Sequence, residues 1–579
     1  MLHALIAALL VAQVTPPPPP PILAAPTASS SPNPSSSPPA GVAPSPAPAQ
    51  LIVNPTNVNI NPAQQALVTV TNATGLLQAT LLHKLVMLSI DQQTHVITIT
   101  ATQATGTDTL HVVDAAGAVA DIPIRVLFNA GTIPPAAQLS VTGSPVDPVW
   151  LAQQVQALVR RLALVAPGAQ ATIAPVQAAP SPLPPGAQST FVVPVQIAGN
   201  GLYLDMNGTT AVTVQNVPLD GFSPPLLFYD DDPERITQDG VLYRGTITMA
   251  KPARLYYYHD DGSDPRQLAV VLTSASQDPT QVQVIDSSAG PNIDVMSVGH
   301  EVAKEFLVLK PHNEGVIVNL GANAYALHDL AMTYEQGAAG SVDFRILSGG
   351  PITVSVVAVS PGVDPRTVLD QPRVPGDGHH RTGVFALDGF GTDRLSYTAG
   401  GSAASVVYAD RTSSPQNVDP ASDGHDYGDY GVLRTIVIDL ANPTDTPAIA
   451  YLYEKPIGGV VRSSFLVDGA IVQVGCVREP VPYQISAFAL APQSKYRAVV
   501  QTMTDGGSNY PIEVGVTAIP PQPAAPPISA PDGCFPKPNA PVPAPAAGSA
   551  PPPAMPGPAS SPSPAPAVTP GAVASPGGF

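Results

Sequence analysis

Three acid-rich stretches carry the residue types that hold hard cations. The first is Asp230, Asp231, Asp232 and Glu234, with Asp239 beyond. The second is Asp260, Asp261 and Asp264, which follow Tyr256-Tyr257-Tyr258-His259. The third is Asp419, Asp423, Asp426 and Asp429 within DPASDGHDYGDYG. Calcium takes about six to eight oxygens, and carboxylates interleaved with glycine in a loop can converge on it. The third stretch is the preferred calcium site, because Gly424 and Gly428 allow tight turns between its acids. None of the three matches an EF-hand loop, and solvated Asp-rich turns that cap strands account for the same composition. Calcium is the single cofactor these residues suggest; otherwise none is expected.

His379 and His380 adjoin Asp377, and His425 lies inside the third acidic stretch. Together with His259 they supply nitrogen donors of the kind transition metals take. Neighbouring histidines on an extended chain point to opposite sides, so exposed loop histidines are the simpler reading. No G-x-S-x-G, H-E-x-x-H, P-loop or strand-to-helix G-x-G-x-x-G occurs, and a non-catalytic protein is expected. Scattered carboxylates would allow a glycosidase pair, as in any acidic chain. Tyr256, Tyr257, Tyr258, Tyr427 and Tyr430 offer a sugar-stacking surface, although strand alternation sends several of them into a core. Cys476 and Cys534 are the two cysteines. Export would permit a disulfide that clips the tail onto the last folded domain, and two unpaired thiols are the alternative.

The elements that hold these residues are predominantly strands. Charged residues make up 11% of the chain and hydrophobic residues 44%, a balance that suits extended sheet and turns better than charged surface helices. The net charge of −18 repels phosphate backbones and anionic lipid, so nucleic acid is not an expected partner. Leu2–Ala12 is an apolar run too short to span a bilayer and fits a signal-peptide core. No later segment is long and apolar enough to span, so a secreted, periplasmic or cell-surface location is expected.

Composition divides the chain. A signal-peptide-like segment covers 1–14, a Pro/Ser/Ala linker covers 15–50, and a Pro/Ala-rich tail covers 521–579; both proline-rich stretches are expected to be disordered. Between them, 51–129 alternates apolar and polar residues in short runs (67–70, 96–100, 109–113, 122–126), with turns at Gly106-Thr107-Asp108 and Ala116-Gly117. That spacing predicts a small sandwich. Residues 137–219 predict a small α+β module with a helix capped by Asp147, opened by Pro148 and faced by Leu151, Val155, Leu158 and Leu162. Trp150 is read there as helix packing. The remainder predicts two sandwiches, 220–365 and 376–520, with similar closing runs, SGGPITVSVVAVSP and GGSNYPIEVGVTAIP. One larger β assembly is the alternative.

The run ITITATQATGTDTLHVVDAAGAVADIPIRV resembles bacterial immunoglobulin-like domains and the N-terminal sandwich-like segment of pilus-type secretins, which implies a sandwich and no activity. DDDPERITQDGVLYRGTI, RLYYYHDD, DYGVLRTIVIDLANPTD and GGSNYPIEV resemble a class of secreted bacterial β proteins labelled copper-amine-oxidase-like. The Asn-Tyr-Asp/Glu segment of a true amine oxidase is missing, so the resemblance implies export and β architecture only. The expected whole is mainly β: tandem β-sandwiches, Ig-like and jelly-roll-like, with one small α+β module and disordered Pro-rich ends. Its expected role is that of an exported structural, adhesive or binding protein of the cell envelope, with an envelope or extracellular protein or a glycan as partner. A carbohydrate- or calcium-binding module and a secreted glycan-active hydrolase are the alternatives.

Overall fold

The computed structural model describes residues 50–179, 181–262, 264–276, 278–321 and 324–523. The signal-peptide-like segment, nearly all of the linker, the tail beyond 523 and Cys534 lie outside the described residues. The chain is mainly β and divides into two compact units, the first ending at Phe128 and the second beginning at Asn129.

The first unit is a sandwich of two four-stranded sheets. One orders Ile52–Asn54, Gln65–Thr71, Val96–Ala101 and Val86–Asp91; the other orders Val58–Ile60, Val119–Val126, Gly106–Val113 and Gln78–Leu81. Alternation places Val68, Val70, Ile97, Ile99, Leu110, Val112, Ile122 and Ile124 between the sheets, fully buried. The stretch Gly106-Thr107-Asp108, expected as a turn, instead opens a strand. There the Asp108 carboxylate accepts the backbone N–H groups of His83 and Leu85 from a neighbouring loop. Asp114 caps the following turn by accepting from Ala116 and Ala118.

The second unit is built on an eleven-stranded sheet. Its order is Gln170–Ile173, Gln188–Ala198, Met206–Asn216, Ala136–Thr142, Gly315–Leu320, Thr280–Asn292, Gly337–Ser348, Ala253–Asp261, Leu226–Asp230 and Thr382–Ala386, with Arg235–Ile236 paired beside Ala253–Asp261. A four-stranded sheet (Gly240–Ile247, Ile352–Val359, Arg266–Ser274, Tyr325–Met332) shares an apolar core with part of it. Helix α1 (Pro148–Leu162) packs against its Gln188–Ala198 and Met206–Asn216 end. The expected boundary at 219/220 therefore does not separate two sheets. Strands from both sides of it enter one ladder, a pairing that local sequence pattern does not encode. Thr382–Ala386, expected in the last sandwich, also belongs to this sheet, through its pairing with Leu226–Asp230.

Residues from 392 onward form a second sandwich of two five-stranded sheets, Thr392–Thr398, Leu433–Asn442, Ser494–Met503, Val460–Val467, Ala470–Arg478 against Ala404–Tyr408, Ile512–Thr517, Ala448–Pro456, Tyr483–Leu490, Gln522–Pro523. Helix α2 (Val295–Leu309) packs between the eleven-stranded sheet and this sandwich. Val298, Val302, Ala303 and Phe306 meet Leu227, Tyr256 and Tyr258 on the sheet, along with Val432 and Met503 from the sandwich side.

Candidate functional site

A cleft in the second unit lies at a seam in its large sheet. Ala136–Thr142 and Gly315–Leu320 are neighbours there but register for only two pairs, Val141↔Val316 and Thr142↔Gly315. Each strand is laddered along its other side, the first parallel to Met206–Asn216 and the second antiparallel to Thr280–Asn292. Past the two shared pairs the strands part, and a cleft of about 500 Å³ opens between Gln138–Ser140 and Ile317–Asn319. Successive strand residues point to opposite faces, so lining by three consecutive residues on each side means the gap opens in the plane of the sheet.

Sequence explains the walls. The Asp147 carboxylate accepts from Val149 and Trp150 N–H at 2.8 and 2.9 Å and starts α1, with Pro148 at its first position. Leu151, Val155 and Val159 enter the core. The expected apolar face is thus rotated: Leu158 is half-buried and Leu162 exposed, and both border the cleft with Trp150, Gln154 and Arg161. Tyr325, Leu327 and His328, on the edge strand Tyr325–Met332, form the opposite wall.

A buried polar clamp closes the narrow end. Thr142 Oγ1 donates to the Asn313 carbonyl at 2.8 Å, and Gln283 Nε2 donates to Thr142 Oγ1 and Asn313 Oδ1 at 2.9 and 3.0 Å. Arg345 Nε donates to Gln283 Oε1 at 3.0 Å. At the open end, His328 Nε2 lies 2.9 Å from Asp286 Oδ2, and Ser288 Oγ donates to Asp286 Oδ1 at 2.8 Å. The Arg161 guanidinium stacks 4.5 Å over the Tyr325 ring. Burial lowers the Arg161 pKa, opposed by the Asp286 charge.

This arrangement presents amides, a hydroxyl, a guanidinium and a carboxylate to one space, bounded by two strand edges without a ladder. It suits binding. Ser288 Oγ and Asp286 both approach the same imidazole nitrogen of His328, so they do not form the relay through opposite nitrogens that activates a serine nucleophile.

The acids singled out in the sequence take different partners, although Asp231 of the first stretch lies near enough to Asp426 of the third for its charge to raise the Asp426 pKa. Asp419 accepts from the Ala421 N–H at 2.9 Å, and Asp423 is exposed and pairs with His380 at 2.9 Å. Asp429 is buried against Arg434 Nη2 at 2.5 Å and accepts from the Ala409 N–H. Buried Asp426 accepts from the Tyr430 N–H, and burial followed by the Asp429 charge pushes its pKa well above the usual carboxylate range. Among the described residues, no group of three or more His, Cys, Asp or Glu side chains is placed to hold a metal ion. Of the expected calcium ligands Asp419, Asp423, Asp426 and Asp429, each meets a different partner: a backbone N–H for Asp419 and Asp426, His380 for Asp423, and Arg434 with a backbone N–H for Asp429.

Of the other acids, Asp230 pairs with buried His259 at 3.0 Å, Asp231 faces Arg381 at 3.5 Å, and Asp260 meets Arg235 at 3.2 Å. His379 is exposed, and His425 stacks on Tyr427 with centroids 4.8 Å apart. Tyr256, Tyr257 and Tyr258 are all buried, leaving Tyr427 as the exposed ring of that set. Cys476 is not a free thiol and packs beside Met296 and Val460; its expected partner Cys534 lies outside the described residues.

Sequence reasoning missed Asp286, His328, Tyr325 and Gln138. They meet only through long-range strand order, and no local spacing marks them. Trp150 and Arg161 carried a local signal because they lie on the one helix whose cap was legible.

No family model and no curated protein matches the chain. Among solved structures, it is similar to the adhesin InvE of Yersinia pseudotuberculosis (16% identity, TM-score 0.12), covering 28% of this chain and 58% of that one. It is similar to fibronectin(III)-like modules of Clostridium thermocellum CbhA (8%, 0.16), over 30% and 98% of the two chains. It is also similar to Bacteroides ovatus SGBP-B, solved with a mixed-linkage heptasaccharide (11%, 0.13), over 52% and 71%. The chain thus spans little more than half of the adhesin's length. Likenesses at these scores assign neither family nor activity; the sandwich architecture rests on the strand order described above.

Proposed function

We propose that the chain is a non-catalytic, exported binding protein of the cell envelope, and that it takes an extended polypeptide segment of an envelope or extracellular protein into the fork at the sheet seam. One observation carries this reading: two parted strand edges face each other across the cleft, each laddered only on its far side. Unpaired strand edges are templates for an added strand, whose main-chain hydrogen bonds give affinity while side-chain pockets give selectivity. Export is supported by the apolar run Leu2–Ala12. Among the described residues, no helix is long and apolar enough to cross a membrane.

A glycan in the same cleft is the second reading, favoured by the amides of Gln138, Gln154 and Asn319 beside the Asp286 carboxylate. Trp150, the chain's single tryptophan, lines the cleft and reports its occupancy. Titration with short β-prone peptides is expected to shift Trp150 emission saturably, and Leu158→Arg, which crowds the cleft from a half-buried position, is expected to abolish the shift. A shift with soluble glycans alone would select the second reading. No shift with either ligand class would remove the cleft as the binding site.

A further inference from the structure

Helix α2 meets the C-terminal sandwich through a polar joint that the binding reading does not use. His300 on α2 is buried, with Nδ1 2.6 Å from Asp505 Oδ2 and Nε2 3.1 Å from Gln473 Oε1. Ser464 Oγ lies 3.4 Å from the same Nδ1. Behind this pair sits Glu454, fully buried on Ala448–Pro456, with the Ser463 hydroxyl as the polar group beside its carboxylate. One oxygen of Asp505 is without a hydrogen-bond partner.

Cations are scarce around these acids. Arg462 is engaged with Asp294 and Ser297 at the start of α2. Glu301 and Lys304 pair with each other on the outer side of the helix. Tyr510 accepts from the Asp505 N–H, and Tyr408 lies near both Glu454 and Asp505. His300 is therefore the cation set between Asp505 and the space occupied by Glu454. The fit is close: a Cβ on Gly299 would lie 2.1 Å from the Gly506 carbonyl oxygen.

We propose that this joint is a proton-operated latch that holds α2 on the C-terminal sandwich while His300 carries its second proton and Glu454 is neutral, and releases the helix when both lose their protons. Burial alone costs a charge heavily unless it is paired. With both protons bound, one ion pair, His300–Asp505, sits beside a neutral carboxyl. With both lost, two carboxylates share a dry space whose remaining cation, Arg462, is engaged by Asp294. Burial disfavours the His300 charge, but the charge and hydrogen bond of Asp505, together with Gln473 and the Glu301 charge, outweigh it and hold His300 above the usual histidine value. Burial, with the Asp505 charge adding, pushes Glu454 up to about 8.

Both groups act with one sign. The His300 contribution is complete below its unfolded pKa of about 6.5 and is lost as pH rises through the higher folded value. The Glu454 contribution is complete below about 4.5 and is lost as pH rises toward about 8.

Hydrogen exchange of residues 295–309 in the full chain, corrected for intrinsic rates, tests the latch between pH 6 and 9. Protection of α2 is expected to fall about tenfold or more relative to the first unit, the equivalent of about 1.4 kcal/mol. Glu454→Gln is expected to keep most of that protection at pH 9. Gly299→Ala wedges the joint sterically and is expected to give low protection at every pH. Unchanged protection from pH 6 to 9 in the natural sequence would overturn the proposal, as would a Glu454→Gln profile that superimposes on it. Should Glu454→Gln not fold, His300→Gln takes its place: a flat, low profile supports the latch, and a natural-like pH response overturns it.

Discussion

Asp429 shows at the scale of one residue why composition pointed to a cation and structure does not. A carboxylate in a glycine-rich loop looks the same in sequence whether its counter-charge is an ion or an arginine. Here the arginine lies five positions downstream, on a strand whose alternation turns it back toward the loop. Arg434 also reaches Asp393 and stacks on Phe390. Removing Asp429 would leave a buried guanidinium without its nearest counter-charge, and losing one partner of a buried pair costs roughly 3–5 kcal/mol. Asp429→Ala is therefore expected to lose about that much stability in urea unfolding. Calcium and chelator are expected to give superimposable curves for the natural sequence.

At the scale of the element, helix α1 was legible and α2 was not, for opposite physical reasons. Helix α1 has one core face and one cleft face, so its cap, its proline and its apolar spacing stand out. Helix α2 is packed on one side by the large sheet and on the other by the C-terminal sandwich. Apolar residues therefore cover two faces and leave a polar strip narrowed to Glu301, Lys304 and Glu305. The signal that remained was its N-cap: Asp294 accepts from the Ser297 N–H. The strands were legible from alternation, but their partners were not. The seam illustrates this, since Thr142 finds Asn313 and Gln283 only after the intervening chain has folded. Thr142→Val keeps the shape and removes the hydroxyl, leaving the Gln283 amide and the Asn313 carbonyl short of a buried partner. The expected cost is roughly 1–3 kcal/mol, with faster hydrogen exchange in Gly315–Leu320 as the local reading.

At the scale of the whole molecule, composition indicated tandem sandwiches, and the strand order adds that strands between Ala136 and Ala386 join one continuous ladder, against which helix α2 and the sandwich from 392 onward pack. Alternation can show that a strand has a buried face, but it cannot show that Leu226–Asp230 pairs with Thr382–Ala386 across the apparent boundary at 365–376. A fragment of 220–523 would lose Ala136–Thr142 and the α1 packing and expose the Gly315–Leu320 edge to solvent. It is expected to be insoluble or to unfold without cooperativity, whereas 129–523 is expected to unfold in a single calorimetric transition.

The seam also dictates an order of events during synthesis. Ala136–Thr142 leaves the ribosome long before Gly315–Leu320, and at about 5–20 residues per second the wait is roughly ten to thirty-five seconds. Throughout that interval the nascent chain carries a strand edge whose partner does not yet exist, although the apolar face of α1 is covered once Gln188–Ala198 and Met206–Asn216 have emerged. The yield of folded protein is then governed by whatever shields that edge while the rest of the chain is still being made.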